Sequence, residues 1–251
     1  MLLNEIKPKN KTVSSALLHL LAMAFMLCDH LWATFFTDLD ILTCIGRIAY
    51  PIFAFMIVEG FFHTRSFKKY MLRLLTFALI SEIPFDLFYA GTAFYPFHQN
   101  VLWTFLIALL LIKWLEFVKQ SGSKWKYAAA GAGALIIGAF TGTVTMVDYY
   151  GAGVLVVLMF YFLRRRTWLN LILQLLFMYY VFVEMIGGYY YPITVFGHYF
   201  ELQQEALAIL ALIPIWLYNG NKGFGGKGFK YFCYGFYPGH LLLLAAAREL
   251  L

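Results

Sequence analysis

Nine predominantly apolar stretches follow one another along the chain, with only short polar connections between them. They take in residues 13–36, 45–62, 70–89, 100–117, 127–142, 148–163, 168–186, 201–218 and 229–251. A helix needs about 20 apolar residues to cross a hydrocarbon core of ~30 Å. In lipid, only helices and closed barrels satisfy their own backbone. The pattern predicts an all-α fold: a polytopic membrane helix bundle of about nine transmembrane helices. The fifth and sixth stretches are short and joined by a few residues, which makes them the least distinct pair. Composition agrees, because 62% of the 251 residues are hydrophobic and 13% charged, against about 25% charged in soluble domains. That excludes a secreted enzyme, a cytosolic nucleotide-binding fold and any large extramembrane domain. Without linkers or visible repeats, residues 1–251 read as a single transmembrane domain.

Charge then sets a direction. Seventeen of the nineteen basic residues fall in alternate connections, counting the N-terminus as the first. These are Lys7, Lys9 and Lys11; Arg65, Lys68, Lys69 and Arg73; Lys113, Lys119, Lys124 and Lys126; Arg164, Arg165 and Arg166; and Lys222, Lys227 and Lys230. Only Arg47 and Arg248 lie elsewhere. Cytoplasmic loops carry the Lys/Arg excess, so the expected N-terminus is cytoplasmic and the C-terminus outside. Topology accounts for the net charge of +6 without a nucleic-acid partner. Three cysteines, Cys28, Cys44 and Cys233, make no disulfide framework and no metal-ligand spacing. The basic start resembles a signal flank, but its apolar run is too long and lacks a cleavage site.

Ionisable groups inside a span cost at least ~2.5–3.5 kcal/mol and mark cavities or pairs. On this topology they gather in the outer half. Asp29 and His30 lie in the first stretch, Arg47 at the mouth of the second, Glu82 and Asp86 in the third. Gln99 and Asn100 open the fourth, Asp148 the sixth, Glu184 closes the seventh, and Glu201, Gln203, Gln204 and Glu205 open the eighth. His19 and Glu59 lie toward the inner side, and His240 near the middle of the last stretch. The pattern predicts a polar cavity opening outward, although a charge at a helix end also rests comfortably among head groups. Glu82 and Asp86 sit one turn apart on one face, suited to acid–base work or to a paired cation such as Arg47. His30 is the sharpest candidate, because imidazole titrates near neutrality. Its neighbour Asp29 points ~100° away, so the expected partner is a carboxylate from another helix. An interhelical structural histidine is the alternative. His240 follows Tyr237-Pro238-Gly239, where a break leaves carbonyls in need of donors.

The connection from Tyr218 to Gly228 is rich in glycine and lysine. Such loops bring backbone N–H groups and charge to phosphates, and equally serve as flexible cytoplasmic loops. The Arg164–Arg166 triplet and the cluster around Arg65 have the same two readings, an anionic cofactor or anionic lipid.

Several stretches resemble the TraX family: GRIAYPIFAFMIVEGFFHTRSFKKYMLRLLTFALISEIPFDL (46–87), HQNVLWT (98–104), DYYGAGVLVVLMFY (148–161), LYNGNKG (217–223) and KYFCYGFYPGHLLLL (230–244). The family's namesake is a membrane acetyltransferase that acetylates the N-terminus of conjugative F pilin, and it is similar to transmembrane acyl-CoA acyltransferases. The resemblance implies a bacterial inner-membrane enzyme that takes acetyl-CoA as donor. Its acceptor would be a peptide, pilin or glycan at the outer face, amid membrane lipids. CDHLW (28–32) would supply an early-helix histidine, His30. Asp29, Glu82, Asp86, Arg47, Asn100, Asp148 and His240 would form the catalytic neighbourhood, with a carboxylate orienting the imidazole and Arg47 or Asn100 steadying an oxyanion. Arg65, Lys69, Arg73, Asn219, Lys222 and Lys230 would attract the donor's phosphates. A proton-coupled transporter using the same groups as a relay, or a catalytically silent assembly partner, remain as alternatives.

Overall fold

The computed structural model describes residues 12–250, so the expected cytoplasmic lysines Lys7, Lys9 and Lys11 lie outside the described residues. The chain forms two compact units, one made of Met1–Met56 with Leu163–Leu251 and the other of Ile57–Phe162. Among the described residues, five helices are long and apolar enough to cross a membrane: Ser15–Thr34, Asp40–His63, Val101–Lys119, Lys124–Val144 and Trp168–Ile186.

The second unit holds the end of α3 (Ala49–His63), then α4 (Phe67–Ala90), α5 (Val101–Lys119), α6 (Lys124–Val144) and α7 (Tyr150–Phe162). Side-chain oxygens start these helices: Ser66 caps α4, Asn100 caps α5 and Ser123 caps α6. Each takes up a backbone N–H that the first turn leaves without a partner. Gly91, in the left-handed conformation, closes α4. Helix α7 is buried almost all round, with Val154, Val156, Val157 and Leu158 fully enclosed. An all-apolar helix of this kind belongs in the centre of a bundle.

Small residues let α6 approach it. Gly131, Ala134, Gly138 and Gly142 form a buried stripe on α6, the close-packing device of membrane helices. A Cβ on Gly142 would stand 2.8 Å from the Tyr150 carbonyl oxygen, and one on Gly151 would run into the Ala139 backbone. Neither backbone can move aside without parting the helices. Gly151→Ala should therefore cost about 1–3 kcal/mol of stability, the usual range for overpacking, read as a lowered unfolding temperature. An unchanged melt would mean the α6–α7 contact is slack.

The first unit begins with α1 (Ser15–Thr34) and α2 (Asp40–Gly46), which runs on into α3. After the second unit come α8 (Trp168–Met178), a π-helical stretch Tyr179–Ile186, strands β1 (Tyr190–Val195) and β2 (His198–Gln203), a 3₁₀ stretch Gln204–Ala211, α9 (Leu212–Trp216) and α10 (Lys227–Leu250). The strands form an antiparallel hairpin in the register Tyr190 to Gln203 and Val195 to His198. Phe196 and Gly197 both have positive φ (50° and 80°), as a two-residue hairpin turn with primed geometry requires.

The hairpin corrects two sequence expectations. The fold is nearly, not wholly, helical, and Glu201 and Gln203 lie on β2 instead of opening a helix. The Tyr218–Gly228 connection makes backbone bonds of its own. Its carbonyls at Asn221 and Lys222 accept from the N–H groups of Ser15 and Ala16 (2.9 and 3.1 Å), so the loop fastens the start of α1. Gly223 (φ 76°) allows this, since a Cβ there would strike the Ser14 side chain. Arg166 is likewise spent on structure, donating to the carbonyls of Trp216 (2.7 Å) and Ile215 (3.1 Å) at the end of α9.

Candidate functional site

In the first unit, α1 and α10 bring His30 and His240 together across 210 residues of sequence. His30 Nδ1 lies 2.7 Å from His240 Nε2, and the rings are nearly parallel with centroids 4.9 Å apart. His240 Nδ1 lies 2.7 Å from the Phe236 carbonyl oxygen, and its ring stacks on Phe236. A carbonyl only accepts, so His240 Nδ1 carries the hydrogen. In the neutral ring its Nε2 is then the acceptor, and His30 Nδ1 is the donor. The chain of bonds fixes the tautomer of His30 and makes Nε2 its basic nitrogen. The partner seen for His30 is a second imidazole, where a carboxylate was expected. His240 serves a carbonyl with one nitrogen, as its sequence context suggested, and meets His30 with the other. His19 turns back on the Ser15 carbonyl (2.8 Å) within α1.

Beside this pair lies a charge cluster that Gly46 makes possible. A Cβ at Gly46 would overlap Asp29, so α2 presses directly on α1. The next residue, Arg47, reaches Asp29 with Nη2 and Glu205 with Nη1 (3.1 Å). Thr43 donates to Asp29 (2.7 Å) and accepts from Gln204 Nε2 (2.5 Å) and Arg47 Nη2 (3.0 Å). Thr43, Gln204 and Glu205 are buried. Arg47 therefore ties α1 to the 3₁₀ stretch, and its ion pairs are to Asp29 and Glu205 instead of the expected Glu82 and Asp86. On the hairpin, burial and then the charge of Asp40 push the Tyr191 phenol up.

The remaining candidates gather in the second unit. Asn100 is fully buried, and its amide nitrogen donates to the Ala78 carbonyl (2.9 Å) and to Glu82. Both amide hydrogens are committed, which leaves none for a developing oxyanion. Trp103 Nε1 also donates to Glu82 Oε2 (2.8 Å). Asp86 accepts from the Tyr95 backbone N–H (2.9 Å). Asp148 stands just before α7, 3.5 Å from His98 Nε2. It follows Met146 and precedes Tyr149 and Tyr150, all three at positive φ (52°, 58° and 48°), a strained turn of the sort found where geometry is over-determined.

Of the expected donor-binding residues, Arg65, Lys69 and Arg73 belong to the second unit, and Asn219, Lys222 and Lys230 to the first. Arg65 and Lys69 are exposed around the start of α4, and Arg73 lies over the Tyr70 ring at 6.0 Å. Lys222 and Lys230 are exposed, whereas Asn219 Oδ1 accepts from the Asn221 N–H (2.8 Å) within its own loop.

A model of the TraX protein family matches residues 14–248. The chain belongs to the TraX family. The chain is 35% identical over 115 residues to "Probable fimbrial assembly protein FimC, serogroup H1" of Dichelobacter nodosus. That alignment covers 41% of this chain and 47% of the relative, so the chain spans about half the length of that protein. No solved structure matches the chain. Family and apolar helices together make this TraX protein a helical membrane protein.

Proposed function

We propose that this TraX protein is an integral membrane acetyltransferase that moves an acetyl group from cytoplasmic acetyl-CoA to an amine or hydroxyl at the outer face. The observation that carries the reading is the half-buried His30–His240 pair, whose bonding makes His30 Nε2 a base. Family membership supports the reaction class. The relative's description as a fimbrial assembly protein supports an acceptor on a pilus subunit. The alternation of basic connections supports nine spans in a bacterial cytoplasmic membrane, N-terminus inside.

In this reading His30 Nε2 takes the proton from the acceptor N–H or O–H as its heteroatom attacks the thioester carbonyl. The new C–N or C–O bond forms, the C–S bond breaks, and the proton passes to the departing CoA sulfur. Arg47, held between Asp29 and Glu205, keeps α1 in place and so positions His30. The exposed Arg65, Lys69, Lys222 and Lys230 draw the donor's phosphates to the cytoplasmic loops.

The test is transfer of a labelled acetyl group from acetyl-CoA to an amine-terminated peptide by the purified chain in lipid discs. Donor binding should weaken with salt, as charge-based attraction does. Neutralising Arg65 with Lys69, or Lys222 with Lys230, should raise the donor KM more than it lowers kcat. No transfer to amine or hydroxyl acceptors, with no CoA released, would overturn the assignment.

A further inference from the structure

Near the end of α4, Asp86 is buried and Glu82 half-buried, each with one enclosed carboxylate oxygen. Asp86 is 2% exposed; Tyr95 takes its Oδ2, and its Oδ1 is buried with no hydrogen bond among the described residues. One turn earlier, Asn100 and Trp103 take Glu82 Oε2, and Glu82 Oε1 is likewise buried and unbonded. No ion pair reaches either group among the described residues. Positions i and i+4 share a helix face, so two acceptor oxygens stand together where leaving a polar atom unmet is costly.

A second, separate group at this end has the same deficit. His98 is 8% exposed, and its Nδ1 has no partner among the described residues. Its Nε2 faces Asp148, so in the neutral ring Nδ1 is a lone-pair acceptor. Its ring stacks on Tyr89 at 4.7 Å, and Tyr95 packs on Tyr89 at 5.9 Å. These three unmet atoms on Asp86, Glu82 and His98 are thus acceptors, and aromatic faces attract cations. Hard metal ions take six or more oxygens, and no group of three His, Cys, Asp or Glu among the described residues is placed to hold one.

We infer that this end of the second unit is a binding site for a primary ammonium group, taken up by Asp86 and Glu82 beside the Tyr89 and His98 rings. Its depth fits a head group. Asp86 lies four residues from the end of α4, about 6 Å along the axis, and Tyr89, Phe94 and Phe97 are exposed around it, as aromatic residues are at the membrane–water interface. The same chemistry is offered by an ethanolamine lipid head group and by a small soluble amine.

The test uses the full chain in discs of phosphatidylglycerol alone, with unfolding temperature as readout. Ethylammonium chloride should raise it saturably, as a ligand of the folded state does. Tetramethylammonium chloride at equal ionic strength, having no N–H donor, should not. Asp86→Asn should remove the response and Glu82→Gln should weaken it. Replacing half the lipid by phosphatidylethanolamine separates the sources. A higher melt that no longer responds to ethylammonium assigns the lipid, and an unchanged melt that still responds assigns the soluble amine. Equal effects of the two ammonium salts on the unmodified chain, or an undiminished response in both variants, would overturn the inference. None of these readouts depends on acyl transfer, so the site and the proposed reaction stand or fall separately.

Discussion

His30→Ala should yield a folded, membrane-inserted protein whose acyl transfer has fallen about 10²–10⁴-fold, the range for removing a general acid–base group. The ring's Nδ1 is held by His240, so alanine removes the basic nitrogen and leaves His240 to re-pair with water or a neighbour. A purely structural histidine would behave in the opposite way, with yield and melting temperature falling while surviving molecules kept their turnover. Activity and unfolding temperature measured on one purified sample separate the two. His240→Ala should cost less, because His30 keeps its base and loses only the contact that fixes its tautomer. Its signature should be a displaced pH–rate profile. Normal turnover in His30→Ala would end the proposed mechanism.

Arg47→Ala should be the most damaging change to stability. It leaves Asp29 and Glu205 without their shared counter-charge, and the Glu205 side chain is 6% exposed. Removing one partner of a buried ion pair costs about 3–5 kcal/mol, a large share of the stability of most domains. Combining Arg47→Ala with Asp29→Asn and Glu205→Gln should recover much of it, because no uncompensated charge then remains. Lysine should substitute poorly, since one ammonium cannot reproduce a fork that spans α1, Thr43 and the 3₁₀ stretch. Thermal unfolding of the single and triple variants is the measurement. A single variant that melts like the unmodified protein would show the cluster to be hydrated and dispensable.

The helices were legible because the apolar stretches are long and the polar connections between them short. Each of the nine stretches contains helical structure: the 45–62 stretch continues from α2 into α3, and the 201–218 stretch starts on β2 before turning helical. The hairpin was not legible, since Tyr190, Tyr191, Ile193 and Val195 fall in the connection between the 168–186 and 201–218 stretches. The available signal was β-branched and aromatic residues followed by Phe196-Gly197. Asp29, His30, Arg47 and His240 stood out singly, because polar groups in apolar runs are conspicuous. Their pairing did not, because His30 and His240 are linked only by tertiary packing. Thr43 gave no signal at all, as a threonine in a helix ordinarily needs no explanation. Glu205 was visible only as a helix-end charge, and its burial against Arg47 depends on the hairpin that sequence reading missed.

The bond from His240 to the Phe236 carbonyl has a consequence for which way a proton travels. A carbonyl oxygen buried in a helix neither releases a proton nor hands one onward. A proton taken by His30 at Nε2 can be shared with His240 through the 2.7 Å contact, but that line ends there. Along this line of bonds the two rings make a cul-de-sac: a proton that passes from His30 to His240 by it returns to His30. A chemical cycle that borrows one proton and returns it is served by such a dead end, whereas an ion-driven pump needs a corridor open at both ends.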